Sequence, residues 1–387
     1  MAAKIWTLTD ADQDICVDQI TLGPENVGGT ARGYSVNKRT LRGGLREGVE
    51  VIEVHNGRLR FVVVPTRGMG IWRAEMGGVQ LGWRSPVKGP VHPKFVSLWE
   101  GNGVGWLGGF DELLVRCGLE SNGAPEFSPQ GALLYPLHGR IANMPAHQVE
   151  VAIDGESGDI SISGLVDEAR LFGNKLRLTT TIRTKAGEPN MTITDVVSNP
   201  SGLPSELELL YHINLGLPLL GPGSRLVAPV KKLAPRDAAA MTNLSQWNTY
   251  GVEGSIAEIV FYLELLAGPA GRTQVLLRNA AGDQGVSIQW SQRQLPYFAL
   301  WKNLQAAGDG YVTGLEPAIN FPNPRSFEKR HGRVAVLKPG ESRTFEIALE
   351  ALGDAIAVAA AEKTVAEMQG GATPEILAQP EAGWSPV

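Results

Sequence analysis

Three proton-carrying side chains each stand alone among turn-forming, strand-forming and apolar residues. His138 lies in the turn Pro136-Leu137-His138-Gly139-Arg140, His212 in the run LELLYHINLG, and Glu316 in Gly314-Leu315-Glu316-Pro317. An imidazole changes charge close to neutral pH, so it gives or takes a proton at small cost. A carboxylate withdrawn from water becomes a stronger base than a solvated one. Two histidines and a glutamate can therefore handle protons at both ends of one bond. The proline after Glu316 forces an extended backbone at that residue, and Glu316 is the sole charge between Tyr311 and Pro324. Asn214 shares the side of an extended strand with His212. Each of the three also has a plainer reading: a loop-bound His138, a hydrogen-bonded core His212, and a Glu316 paired with Arg325.

Other residues can serve the same chemistry. Arg140 follows His138 closely, and a guanidinium holds hydroxyls or anions through paired donors. Arg67 leaves a strong strand for a glycine-rich turn, and Arg116 precedes Cys117-Gly118; each reads either as a substrate ligand or as a structural pair. Trp99, Trp106, Trp301 and Lys302 could form a platform for a sugar ring, with Leu295 to Lys302 the best segment for it. Tryptophans in β proteins are more often core. Gly103-Val104-Gly105-Trp106-Leu107-Gly108 matches a dinucleotide fingerprint in letters only, because no strand-helix-strand frame surrounds it. Its glycines read as a loop over a sheet. No GxSxG, Walker A, HExxH or CxxC motif occurs, so no cofactor and no metal are expected.

The elements that must position these residues read as strands. Arg58 to Pro65 is β-branched and apolar, while His147 to Asp154 and Asp159 to Leu165 alternate around a Gly-Glu-Ser-Gly turn. Lys175 to Thr184 and Asn190 to Val197 read as a second hairpin. Glu206 to Leu210, Gln274 to Leu277, Val286 to Trp290 and Thr344 to Leu349 continue the pattern. Helical periodicity is confined to Asp354 to Gln369, stopped by Gly370-Gly371, and more weakly to Ser255 to Leu266. The expected fold is mainly β: a large antiparallel sandwich with few short helices and long loops across one face. Residues 1–372 read as one domain, with 1–45 as an N-terminal extension, and 373–387 as a proline-rich extended tail.

Composition narrows the function. The net charge is −5 with no long basic run, which argues against a nucleic-acid partner, whose phosphates demand clustered Lys and Arg. Two cysteines give no disulfide framework. The amino terminus lacks the apolar stretch of a signal peptide, and no run approaches a membrane span, so no membrane partner and a cytoplasmic location are expected. Oligomeric state is left open.

At Leu137-His138-Gly139-Arg140, Tyr211-His212-Ile213-Asn214-Leu215 and Leu315-Glu316-Pro317 the chain resembles the galactose mutarotase (aldose 1-epimerase) superfamily, over about residues 50–350. The resemblance implies a supersandwich fold and a sugar substrate. It implies that Glu316 takes the anomeric hydroxyl proton, that His212 protonates the ring oxygen, and that His138 binds or polarises a substrate oxygen. Arg140 stands where the family has a second glycine, and Arg67 is the candidate for the family's arginine. The family's substrate aspartate has no visible counterpart. Two further functions stay open: an isomerase, epimerase or lyase acting on a keto-sugar or sugar acid, with metal assistance if the trio acts as ligands, and a sugar-binding protein without turnover.

Overall fold

The computed structural model describes residues 3–256 and 258–386. The alternating segments become antiparallel strands. Asp159–Ala169 pairs along its whole length with Lys175–Lys185, and Asn190–Ser198 lies between Lys175–Lys185 and Ser342–Leu352. Along these strands buried residues such as Ile160, Ile162, Val166, Leu178, Ile182 and Ile193 alternate with half-exposed ones. That pattern belongs to a sheet with one covered face, since a one-residue slip would turn every apolar side chain outward. These strands sit in a ten-stranded sheet.

A fourteen-stranded sheet packs against it, and its middle runs through Ile259–Leu265, Tyr297–Asn303, Val312–Ala318, Ser205–Gly216 and Leu114–Leu119. Here both faces are covered. Leu207, Leu209, Tyr211, Ile213 and Leu215 point into the main core between the sheets. The intervening Leu210 joins Trp106, Phe110, Val115, Cys117 and Ala318 in a second cluster on the outer face. Double-sided burial is why LELLYHINLG reads as a near-continuous apolar run.

Between the sheets, Arg116 uses all five of its donors. It makes a two-point ion pair with Asp195 (Nε to Oδ2 2.5 Å, Nη2 to Oδ1 2.9 Å) and donates to the carbonyls of Gly68 and Met69 and to Thr180 Oγ1. The Tyr211 hydroxyl donates to Asp195 as well, at 2.7 Å. A charge is tolerated in a core only when its polar atoms are paired in this way. Arg116 is therefore a strut between the sheets, not a substrate ligand.

The helix Ala355–Gln369 starts at Asp354, whose Oδ1 accepts from the Ala357 amide at 2.8 Å, and ends at Gly370 with φ 55°. The weaker helical expectation over Ser255 to Leu266 is corrected. Ile259–Leu265 is a strand between Val230–Pro235 and Tyr297–Asn303, with Phe261 and Leu263 in the core and Val260 and Tyr262 outside. Its β-branched and aromatic residues suit a pleated, two-sided burial that outweighs the local helical spacing. Lys4–Asp10 pairs with Gln148–Ile153 in the ten-stranded sheet, and Ser35–Thr40 with Glu50–His55 in the other. In the terminal segment Glu375–Ile376 runs parallel to Val230–Pro235, and Trp384 packs on Phe321 with ring centroids 5.2 Å apart. Among the described residues no helix is long and apolar enough to cross a membrane.

Candidate active site

Ser205–Gly216 and Val312–Ala318 pair antiparallel, with Leu210 against Ala318, Ile213 against Leu315 and Asn214 against Gly314. The same register sets His212 opposite Glu316. Both side chains point to the outer face, and His212 Nε2 stands 3.2 Å from Glu316 Oε1. Gly314, one rung along, leaves the space in which they meet. A Cβ there would lie 2.6 Å from Glu316 Oε1 and 2.8 Å from His212 Cε1. This glycine is required for room, and nothing in its backbone angles demands it.

Asn214 fixes the tautomer of His212. Its Nδ2 donates to the carbonyls of Glu112 (3.0 Å) and His212 (3.2 Å), so its Oδ1 is the atom that faces His212 Nδ1, at 2.5 Å. Nδ1 therefore carries the proton, and Nε2 is left for Glu316 and a substrate. Glu316 Oε1 is buried and makes no aligned hydrogen bond, so apart from its contact with Nε2 it is unclaimed by the protein.

His138 reaches the same place from a separate turn. It adopts φ 57°, a left-handed conformation that costs a non-glycine residue energy and recurs at functional sites. Its Nδ1–H donates to the Asn122 carbonyl at 2.9 Å, and its ring centre lies 5.5 Å from that of His212. Aromatic rings wall the group. Phe110 and Trp301 lie 5.1 and 5.5 Å from the His212 ring, and Trp106 lies 4.6 Å from His138. Trp106 and Phe110 come from the glycine-rich segment, which forms a short 3-10 helix over Gly105–Gly109 rather than the loop expected of those glycines, and packs on the outer face of the sheet.

The dry surroundings displace the proton affinities. Burial pushes Glu316 up to about 8, with Arg236 opposing and Glu258 adding to the rise. Burial pushes His212 down to about 3, with His138 contributing, and His138 down to about 4. Titratable groups whose environments drive their pKa values apart often mark a site of proton transfer; here the displacements put the resting proton on Glu316 and leave His212 neutral. Arg236 and Glu258 are themselves paired at 2.8 Å.

Of the residues singled out in the sequence, His138, His212, Glu316, Asn214, Trp106 and Trp301 come together. Lys302 does not. It is the strand neighbour of Trp301 and so points to the opposite face, where its buried amine is held by the carbonyls of Gln246, Trp247 and Thr249. Arg67 is also outside the cluster. It is buried on Glu112 (2.5 Å), the carbonyls of Val91 and Gly109, and Asn143 Oδ1, an under-layer that anchors the loop bearing Phe110. Arg140 turns its guanidinium to Met144 Sδ, 3.9 Å away, and its charge is felt at Glu168. Trp99 is half exposed. Phe110, Gly314, Asn122 and the Arg236–Glu258 pair were not singled out. The one local signal for any of them was Gly314, two residues before Glu316 on the same strand face. Among the described residues no three His, Cys, Asp or Glu side chains are grouped to hold a metal ion.

The family model described as "Domain of unknown function (DUF4432)" matches residues 46–351. The chain belongs to the DUF4432 family. This DUF4432 chain is 36% identical to a protein from Klebsiella pneumoniae subsp. pneumoniae MGH 78578 described as a "putative aldose 1-epimerase", over 97% of this chain and 98% of that one, with a TM-score of 0.94. It shares its fold with a galactose mutarotase-like protein from Clostridium acetobutylicum (16% identity, 82% and 98% coverage, TM-score 0.57) and with galactose 1-epimerase from Lactobacillus acidophilus NCFM (11%, 82% and 98%, 0.55). The resemblance drawn from the three short motifs is borne out. No match is found among curated proteins.

Proposed function

We propose that this DUF4432 protein interconverts the anomers of a sugar by opening and reclosing its hemiacetal ring, with Glu316 as general base and His212 as general acid. The observation that carries the reading is the directly opposed pair, with Nε2 and Oε1 3.2 Å apart. Groups this close serve two oxygens on one carbon better than groups on neighbouring carbons. A hemiacetal has that arrangement at its anomeric centre. The Glu316 carboxylate takes the anomeric O–H proton as the carbon–oxygen bond becomes a carbonyl. The bond from that carbon to the ring oxygen breaks, and the His212 imidazolium protonates the released oxygen. Rotation about the adjacent carbon–carbon bond and reversal of both transfers give the other anomer and restore the pair. His138, with Nδ1–H committed to Asn122, accepts a substrate hydroxyl at Nε2. Trp301 supplies an apolar face, and the Arg236–Glu258 pair flanks the reacting centre.

The pH dependence follows from proton counting. Between about 3 and about 8, the values for His212 and Glu316, the pair holds one proton. Those values seat that proton on Glu316 at rest, so the imidazolium–carboxylate form, the one with acid and base both in place, is reached by passing it from Oε1 to Nε2. Above about 8 the proton is lost and no acid remains. Below about 4 His138 also charges and ceases to accept. The expected kcat/KM is flat between about 4 and about 8 and falls about tenfold per pH unit on the alkaline side, the slope for loss of one essential proton. A profile with no alkaline break would remove the shared proton from the mechanism.

The test of the activity is exchange NMR on a panel of neutral aldoses and uronic acids. The reading expects faster anomer exchange with at least one of them. Sugar-induced tryptophan fluorescence changes with no exchange on any sugar would replace it with binding alone.

A further inference from the structure

The turn that carries His138 is hydrogen-bonded to Gly118 on the strand beside that of His212, and its imidazole is tied to the strands of both His212 and Glu316 through Asn122. Its backbone N–H donates to Glu208 Oε2 at 3.0 Å. Its side-chain amide exchanges two hydrogen bonds with that of Asn320, at 2.9 and 3.1 Å. Its carbonyl accepts the His138 Nδ1–H at 2.9 Å. Asn122, Glu208 and Asn320 are all fully buried. The anchors are placed in register with the reacting pair: Glu208 lies four residues before His212, and Asn320 four after Glu316. The Ile319 amide still donates to the Leu209 carbonyl at 3.0 Å, so the pairing that opposes His212 to Glu316 also opposes Glu208 to Asn320.

We propose that Asn122 is a positioning residue that sets the tautomer and aim of His138 against the His212–Glu316 pair, so that His138 meets the sugar as a hydroxyl acceptor. This rests on the mutarotase reading above. A carbonyl oxygen can only accept, so His138 keeps its proton on Nδ1 and its lone pair on Nε2. The carbonyl keeps its direction because every other polar group of Asn122 is spoken for. Removing Asn320 would strand a buried amide and release the loop to turn. His138 is sensitive to that turn, because its left-handed backbone is held from outside: its own N–H donates to the Gly123 carbonyl at 2.9 Å.

The test compares wild type, Asn320→Ala, His138→Ala and the double variant by exchange NMR over a range of sugar concentrations. Asn320→Ala is expected to raise KM about tenfold with kcat nearly unchanged, the pattern of lost binding. It should raise KM no further when His138 is already alanine, because the two act as one unit. A KM unchanged in folded Asn320→Ala, or an equal rise in the His138→Ala background, would overturn the proposal. Nitrogen-15 shifts of His138 in the wild type decide the matter even where variants do not fold: protonated Nδ1 and bare Nε2 are expected, and the opposite tautomer refutes it. If wild type accelerates no sugar, the mutarotase reading fails, while the histidine shifts in Asn320→Ala still report whether Asn122 governs His138.

Discussion

Glu316→Gln is expected to lower the rate of anomer exchange by about 10²–10⁴-fold, the range a positioned general base contributes, while sugar binding survives. The amide has the shape of the carboxyl but cannot take the anomeric proton. The alkaline break near pH 8 should vanish with it, because the proton lost there belongs to the His212–Glu316 pair. Stability should move the other way. The folded-state pKa of Glu316 is raised from 4.5 to about 8, so between those values the folded chain binds the proton more tightly than the unfolded chain does. Wild type therefore loses stability as pH rises through that window. Glutamine, neutral throughout, is exempt, and the variant should melt above wild type at pH 7 and beyond. Exchange NMR with thermal melts at several pH values checks both parts. Activity within a few-fold of wild type would deny Glu316 the role of base.

Gly314→Ala should be nearly as damaging to the rate by a different route. The added methyl would stand 2.6 Å from Glu316 Oε1, 2.8 Å from His212 Cε1 and 3.1 Å from His212 Nδ1, closer than non-bonded atoms tolerate. The side chains can yield where the strand cannot, so the pair is forced apart and the sheet survives. Overpacking of this kind costs about 1–3 kcal/mol of stability, and misplacing reacting groups by about 1 Å costs about 10²-fold in rate. A folded Gly314→Ala with a wild-type rate would mean that the 3.2 Å contact is not the working arrangement. Substituting Gly202, which has nothing within 4 Å of an added Cβ, is the fitting control.

Much of the site was legible because strands have a local period. His212 and Asn214 share a face two residues apart, and Glu316 is isolated in an uncharged run before a proline; both facts need only the chain's own order. The same rule could have been pressed further. Trp301 and Lys302 are adjacent in a strand and cannot both face one site, and the structure assigns the tryptophan to it. The helix over Ala355–Gln369 was legible for the same reason, since its cap and its glycine stop are local. Ile259–Leu265 was not, because its pairing on both sides outweighs the helical spacing.

Residue types and their order thus determined which side chains can carry protons, which lie on a common strand face, and that most of the chain forms strands. Only tertiary structure decided the partners. Arg67, Arg116 and Arg140 are alike in sequence as arginines beside glycines and strands, yet Glu112, Asp195 and Met144 claim them. Glu316 meets His212 from a strand far along the chain, Gly314 makes room for that meeting, and Asn122 joins a distant turn to the same two strands. A side chain's face follows from bonds along the chain. Its partner follows from register between strands, which many non-local contacts fix together.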